Sequence, residues 1–416
     1  MGNDTDWRKL NYLLGRARLT KVVLQPALHR FQPPRTLGKN WGRLQGGQAK
    51  KRMTPKATSG EIDYGSFERA KERSHELEVE LNLHPENYRV LTGDRPTGRL
   101  HIGHLFGSLQ NRVRLERLGV QSYIVIADYQ VLTDRDSAES IADNVRQLAI
   151  DYLAAGINPD DGKTFIFPHS HVPELNQLLL PFLTLVTIPE LNRNPTVKEE
   201  ILAAGQRRIN AGMYTYPVHQ AADILFCKGN VVPVGKDQLP HLELTRVIAR
   251  RFNERFAAKE PVFPEPQALL ANVPLILGLD GSKKMSKSKN NSIPLNASED
   301  ETAALIKKAK TDAEVYITYD PTNRPEVANL INLISLVTGN SPEAIAESIG
   351  GGGGVQLKKV LTETLNEYLR PLRLRRKELE ANMDYIHAVL NAGVKQARMV
   401  GEQTLEEVRR VMNMEF

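Results

Sequence analysis

Apolar and polar positions follow two different rhythms along this chain. From residue 89 short apolar runs recur, at 89–92, 122–127 and 164–167, each bounded by turn residues. Between them, at 102–118, 137–155 and about 173–186, apolar positions return every three or four residues, the period of a helix with one buried face. Strand and helix alternating at this spacing imply parallel strands joined by crossover helices, hence an α/β domain with a Rossmann-like, doubly wound parallel sheet. A further run, Val231 to Val234, ends at Gly235 and leads into a helix over about 241–252. Beyond Ser288 the pattern is helical throughout: 303–310, 326–338, 342–348, 355–369, and 371 to the end. Ahead of the first strand, the segment 67–83 reads as a charged surface helix, and residues 1–60 show no period beyond a short run at 10–14. The expected organisation is an extension at 1–60, a helical linker at 61–87, a Rossmann-type domain at 88–295 and an α-helical domain at 296–416.

Charge alters the picture of the extension more than that of the body. The net charge of +6 averages two unlike parts: residues 1–60 hold 13 Lys and Arg against Asp4 and Asp6, whereas the remainder holds 42 basic and 47 acidic residues. The extension therefore reads as disordered or loosely helical and strongly basic. It suits an RNA-binding arm with salt-dependent affinity, an organelle transit peptide that Asp4 and Asp6 argue against, or a stretch without function ahead of a start at Met53. A chain of 416 residues can bury a large core in at least two domains. No apolar run approaches the roughly 18 residues of a membrane span. The single cysteine, Cys227, permits neither an internal disulfide nor a cysteine-based metal cluster, and points to a reducing compartment. No metal-ligand set is assigned.

Two distant stretches gain meaning when read together. The first is Pro96-Thr97-Gly98-Arg99-Leu100-His101-Ile102-Gly103-His104, between the run at 89–92 and the helix from 102. A helix start offers unpaired backbone N–H groups and the positive end of a dipole, so it can hold phosphate. Gly98 and Gly103 let a nucleotide approach the backbone, and His101 and His104 can donate hydrogen bonds to phosphate oxygens as charge builds on them. The second, Lys284-Met285-Ser286-Lys287-Ser288, sets two ammonium groups on a loop expected to be mobile, suited to a pyrophosphate leaving group. Alone, the first is an ordinary helix start with satisfied histidines and the second a solvated turn.

A third stretch spans Met213 to Leu225. Pro217 sits where a helix can begin, with Thr215 as its cap. On that helix Tyr216, Gln220 and Asp223 share one face. The face is either exposed and polar, or, since Ala221, Ala222, Ile224 and Leu225 are apolar, the wall of a pocket. A buried Asp223 would accept the N–H of an indole or the O–H of a phenol. Asp237 and Gln238, at the carboxyl end of the strand from Val231, suit a ribose hydroxyl or an α-ammonium group. The glycine run at 350–354 has no preceding strand and no following Lys-Ser/Thr, and reads as a flexible interhelical connector. Arg370, Arg373, Arg375, Arg376 and Lys377 can meet RNA phosphates, or with Glu378 and Glu380 make a solvated face.

The stretches around His101–His104 and Lys284–Ser288 resemble the HIGH and KMSKS elements of class I aminoacyl-tRNA synthetases. From about residue 88 onward the chain resembles the tryptophanyl-tRNA synthetases, most specifically through Tyr216-Pro217, Gln220-Ala221-Ala222-Asp223-Ile224-Leu225, Val232-Pro233-Val234-Gly235, Asp237-Gln238 and His241-Leu242-Glu243-Leu244-Thr245-Arg246. That resemblance implies tryptophan–tRNA ligation by way of tryptophanyl-adenylate, a Mg²⁺-ATP requirement, L-tryptophan and tRNA(Trp) as substrates, an α-helical anticodon-binding domain, a homodimer and a cytoplasmic location, or a mitochondrial one if the extension is a transit peptide. Position by position it assigns the phosphates to His101, His104, Lys198, Lys284 and Lys287. ATP falls to Gly93, Gly103, Gly235, Asp237, Met285, Ser286 and Ser288, and the amino acid to Tyr216, Gln220, Asp223 and Gln238. The chain departs from many bacterial members at Gln220 (methionine there), Arg95 (glutamine), Gln130 (histidine) and Lys236 (glutamate). Gln220 also matches the tyrosyl-tRNA synthetases, which makes tyrosine the alternative substrate. The same departures resemble second-copy tryptophan enzymes, some tolerant of indole-based inhibitors. A small-molecule adenylyl- or cytidylyltransferase would share the histidine turn without needing the helical third, and a non-charging paralogue would not need intact His104, Lys284 and Lys287.

Overall fold

The computed structural model describes residues 67–133, 139–204, 210–270, 276–281, 285–286 and 289–416. The basic extension, Lys284, Lys287 and Ser288 lie outside the described residues. The sheet is built from β1 (Arg89–Asp94), β2 (Gln121–Ile126), β3 (Thr164–Pro168), β4 (Val231–Val234) and β5 (Gln267–Leu270). All pair in parallel, in the order β3-β2-β1-β4-β5. Strands buried on both faces should read as near-continuous apolar runs, and β2 does, with five of its six residues buried. The chain leaves β1 toward β2 on one side and later returns to β4 on the other. A crevice must therefore open beyond the carboxyl ends of β1 and β4, where the connections diverge. This is the Rossmann-like arrangement expected from the alternating pattern.

Helices cover both faces. Ahead of the sheet, α1 (Phe67–Leu83) buries Leu77 and Leu81 against Val90, Val231 and Leu269. The helix after β1, α2, runs through Ile102–His104, a π turn at Leu105–Leu109, and Gln110–Arg117. Then come α3 (Ile141–Ala154), short α4 (Pro173–Gln177), α5 (Leu179–Leu183) and α6 (Ile188–Arg193), α7 (Pro195–Ala204), α8 (Ala211–Leu225) and α9 (Leu239–Phe256). The single helix expected over 173–186 is two short ones, because Pro181 removes a donor at that point.

Pro217 does not begin its helix. Asn210 does: its side-chain oxygen accepts from Met213 N at 2.8 Å, and Pro217 lies inside α8. One lost backbone hydrogen bond is tolerated there because Val218, Ala221, Ala222, Ile224 and Leu225 are fully buried and hold the helix in place.

The helical region comprises α10 (Glu299–Lys307), α11 (Pro325–Thr338), α12 (Pro342–Ile349), α13 (Gly353–Glu380) and α14 (Met383–Val411). The glycine run is a tight connector whose Gly353, at φ 67, starts α13. The expected break near residue 370 is absent: α13 passes through Pro371 with Leu365, Leu369, Leu372 and Leu379 buried on both sides. Asn382 makes the break instead, its side chain accepting from Tyr385 N at 3.3 Å and so starting α14. That last helix folds back onto β3. A Cβ at Gly393 would fall 2.0 Å from Ile166 O, so only glycine permits the observed approach. No described helix is long and apolar enough to cross a membrane.

Candidate active site

Beyond β1 the chain turns through residues 95–101 into α2, and both ends of that turn are tied down. At its start, buried Arg112 reaches back from α2 to Asp94 Oδ2 (2.8 Å), Thr92 Oγ1 (3.1 Å) and Gly93 O (3.3 Å). The Tyr152 hydroxyl donates to the same Asp94 oxygen at 2.8 Å. Burial alone would raise the Asp94 carboxyl, but Arg112, His104 and the two hydrogen bonds prevail and hold it at about 2. Gly93 has a packing reason of its own, since a Cβ there would lie 2.0 Å from Val125 O. Gly98, at φ 116, takes a conformation that side chains disfavour.

At the turn's far end the two histidines cap the helix and each other. His101 Nδ1 accepts from Gly103 N at 3.1 Å, and His104 Nδ1 accepts from His101 N at 3.3 Å. With both Nδ1 atoms acting as acceptors, a neutral ring must carry its proton on Nε2. The rings lie 3.9 Å apart, so the pair presents two N–H donors in a fixed relation.

The second stretch comes to the same place. Ile102 N donates to Ile293 O (3.0 Å) and Leu295 N to Leu100 O (2.9 Å), fastening the segment after residue 289 along the histidine turn. Met285 is buried, and its sulfur would sit 3.6 Å from a Cβ on Gly103. Ser286 N is held by Asn291 Oδ1 at 2.8 Å. Asn329, buried on α11, pairs with both polar backbone atoms of Leu277, at 2.9 and 3.2 Å.

On the other side of the crevice, Tyr216, Gln220 and Asp223 look from α8 toward β3 and β4, and none of the three is exposed. The Tyr216 hydroxyl meets His241 Nε2 at 3.0 Å, and Gln220 Nε2 donates to Gln238 Oε1 at 3.5 Å. Burial depresses His241 to about 4, with Asp237 pulling the other way. Thr196 Oγ1 donates to Asp237 O at 3.0 Å. This ties the start of α7, and exposed Lys198 upon it, to the turn after β4.

Asp223 is the most deeply set of the group, 2% exposed. Its Oδ1 lies 3.1 Å from His169 Nδ1, and Gln130 Nε2 approaches Oδ2 at 3.4 Å. His169 Nε2 accepts from Tyr129 N at 2.8 Å, so the proton of a neutral ring sits on Nδ1 and is given to Asp223. His219 Nε2 pairs with Asn176 Oδ1 at 2.6 Å, and its Nδ1 lies 3.9 Å from Asp223 Oδ2. Burial lowers the His219 pKa.

The structure thus places His101, Gly103, His104, Met285 and Ser286 together at the histidine turn, and Tyr216, Gln220, Asp223 and Gln238 together around α8, with Gly235 and Asp237 beyond β4. The sequence pattern assigned no role to His169, Arg112 or Tyr152, and none to His241 beyond its place in a family-like stretch. One signal was available for His169, which follows the last residue of β3, at the strand ends where such sheets bind ligands.

The basic cluster of α13 divides. Arg370 pairs with Glu299 and Glu367 at the surface. Arg376 neither faces solvent nor is available to RNA: its side chain is 4% exposed and bonded to Asp151.

A Rossmann-like sheet with a capped histidine turn, and a distant loop seated on that turn, define a class of nucleotide-using enzyme, the class I aminoacyl-tRNA synthetases. The family model for tRNA synthetases class I (W and Y) matches residues 84–370. The chain belongs to that class and, within it, to the tryptophan–tRNA ligases. The tryptophan–tRNA ligase of Clostridium longisporum is 42% identical over 79% of this chain and 97% of its own length. That of Lactococcus lactis is 41% identical over 79% and 98%. The tryptophanyl-tRNA synthetase of Campylobacter jejuni, solved with ADP and tryptophan, superposes with a TM-score of 0.68 at 28% identity, covering 78% of this chain and 99% of that one. The activity is therefore tryptophan–tRNA ligation.

Proposed function

We propose that ligation runs through tryptophanyl-adenylate formed in the crevice beyond β1 and β4. The seating of the Met285 sulfur beside Gly103 supports this reading, because Met285 lies between Lys284 and Lys287 in the sequence. ATP lies with its phosphates at the start of α2, where His101 and His104 donate from Nε2. Gly93, Gly235 and Asp237 flank its nucleoside, and Ser286 and Ser288 its phosphates. Lys198, Lys284 and Lys287 balance the charge that grows on pyrophosphate as it leaves. The tryptophan carboxylate attacks the α-phosphorus in line, and the adenylate then passes its acyl group to the terminal adenosine of tRNA(Trp). No covalent enzyme intermediate is required, because these groups act by position and charge.

Asp223 accepts the indole N–H through Oδ2, while Tyr216, Gln220 and Gln238 hold the amino acid's polar end. Among the described residues the histidine turn offers imidazoles and amides rather than oxygen ligands, and Asp94 is already committed to Arg112 and Tyr152. Mg²⁺ accordingly enters with the triphosphate and neutralises part of its charge. The region from about residue 296 reads the tRNA. Leu180, Ile188 and Leu202, each more than 70% exposed on α5, α6 and α7, favour pairing of two subunits through these helices. A cytoplasmic location follows for an enzyme of protein synthesis with one buried cysteine.

The test is pyrophosphate exchange driven by each of the twenty amino acids, with tRNA charging followed in parallel. Tryptophan alone should drive exchange. Exchange driven by tyrosine would reverse the substrate assignment, and exchange without charging would identify a specialised paralogue.

A further inference from the structure

Asp151 and Tyr152 are consecutive residues of α3, and each grips one end of the histidine turn. Tyr152 holds Asp94, where β1 stops. Asp151 Oδ2 accepts from the backbone N–H of Leu100 at 3.1 Å, one residue before His101. Leu100 O and Ile102 N are already bonded to the 293–295 segment. The Leu100 amide is thus a point at which the turn is anchored to α3, while its neighbouring polar atoms are taken by the 293–295 segment.

What orients Asp151 comes from far along the chain. Arg376 Nε donates to Asp151 Oδ1 at 2.8 Å, one Nη meets Gln147 Oε1 at 2.5 Å, and the other pairs with Glu380. The Arg376 and Asp151 side chains are 4% and 1% exposed. An ion pair this deep gains little stability over well-packed apolar residues of the same volume, since its desolvation cost offsets its attraction. Its geometry is informative instead: one carboxylate oxygen meets the guanidinium and the other meets a backbone amide of the turn. We propose that Arg376 is a positioning residue for adenylate formation. Through Asp151 it fixes the Leu100 amide, and so the placement of both imidazoles against the triphosphate. The inference rests on the reading of that turn as the phosphate site.

The experiment compares full-length Arg376→Gln, Arg376→Lys and the neutral pair Asp151→Leu/Arg376→Met with wild type. Tryptophan-dependent pyrophosphate exchange is measured per titrated active site, well below each unfolding midpoint. Leu372→Ala, a cavity in the same helix, reports loss of stability alone. Expected are a fall in kcat of about tenfold or more for Arg376→Gln, a KM for tryptophan within about twofold of wild type because the α8 pocket is built separately, and partial recovery in Arg376→Lys. The neutral pair should fold well, having no unpaired buried charge, yet keep the low kcat because nothing holds the Leu100 amide. Wild-type kcat per site in the neutral pair, or a Leu372→Ala enzyme as slow as Arg376→Gln, would reduce Arg376 to a structural role. If wild type itself showed no exchange with tryptophan, the reading of the site would fail before the positioning of the turn came into question.

Discussion

Asp223 is buried with one oxygen in a short contact and the other in longer ones. His169 donates to Oδ1 from within the protein, and among the described residues Oδ2 is met at longer range, by Gln130 Nε2 at 3.4 Å and His219 Nδ1 at 3.9 Å. In the proposed site an indole N–H meets Oδ2, and a ligand without that donor leaves a buried carboxylate underused. Asp223→Asn should therefore raise the tryptophan KM in pyrophosphate exchange by about a hundredfold, equivalent to ~3 kcal/mol for a hydrogen bond to a charged group; an unchanged KM would place the indole elsewhere. The three polar residues of α8 were legible because they lie on one helix at a spacing that aligns them. His169 was not, because it reaches Asp223 from the end of β3, 54 residues away, a proximity only the fold creates. His241 predicts a pH effect. Burial brings it to about 4 from its ordinary 6.5, so below 6.5 the unfolded chain takes up a proton that the folded one refuses. Stability present above pH 6.5 should be lost as pH falls toward 4, by ~3 kcal/mol in all. His219 is shifted in the same direction and adds to the loss. Urea midpoints at pH 7, 5.5 and 4.5 should converge less steeply in His241→Gln than in wild type.

Whole elements were easier to anticipate than their joints. All the described strands fall within two residues of the apolar runs where a run was named, because strands buried on both faces leave no room for polar positions. Three misplaced boundaries involve proline, the break ahead of Pro181 among them. Pro217 and Pro371 each look like a helix end, yet each lies within a helix whose flanking apolar residues are buried, and that packing outweighs one missing hydrogen bond. The true starts are set by side-chain caps, Asn210 for α8 and Asn382 for α14. The small residues of α14 give this scale its prediction. Alanine is the better helix former by about 1 kcal/mol, so Gly393→Ala would stabilise a helix standing free. Here the added methyl meets the β3 backbone at 2.0 Å, and the melting temperature should instead drop, with a net loss of roughly 1–3 kcal/mol. A rise would mean that the helix rides farther from the sheet.

For the molecule as a whole, the charge division matters most. The slightly acidic body must approach RNA through local basic groups, and one of the best placed in sequence, Arg376, is spent inside the protein on a partner 225 residues away. That pairing could not be read from the chain, where Arg376 is one of five neighbouring basic residues. If the N-terminal extension supplies the missing attraction, removing residues 1–52 should weaken tRNA binding strongly at low salt and little at high salt. Equal affinity for both forms at both salts would assign it no RNA contact.

The covering of β3 by α14 also bears on how the protein comes into being. A ribosome completes the third strand at Pro168, but the helix that shields it begins only at Met383, after all the other described helices. Until then the strand's outer surface stays wet, and the early half is exposed to aggregation or to the grip of a chaperone. Nascent chains halted just after Glu380 should accordingly be cut by protease within the first sheet strands, whereas released chains should resist.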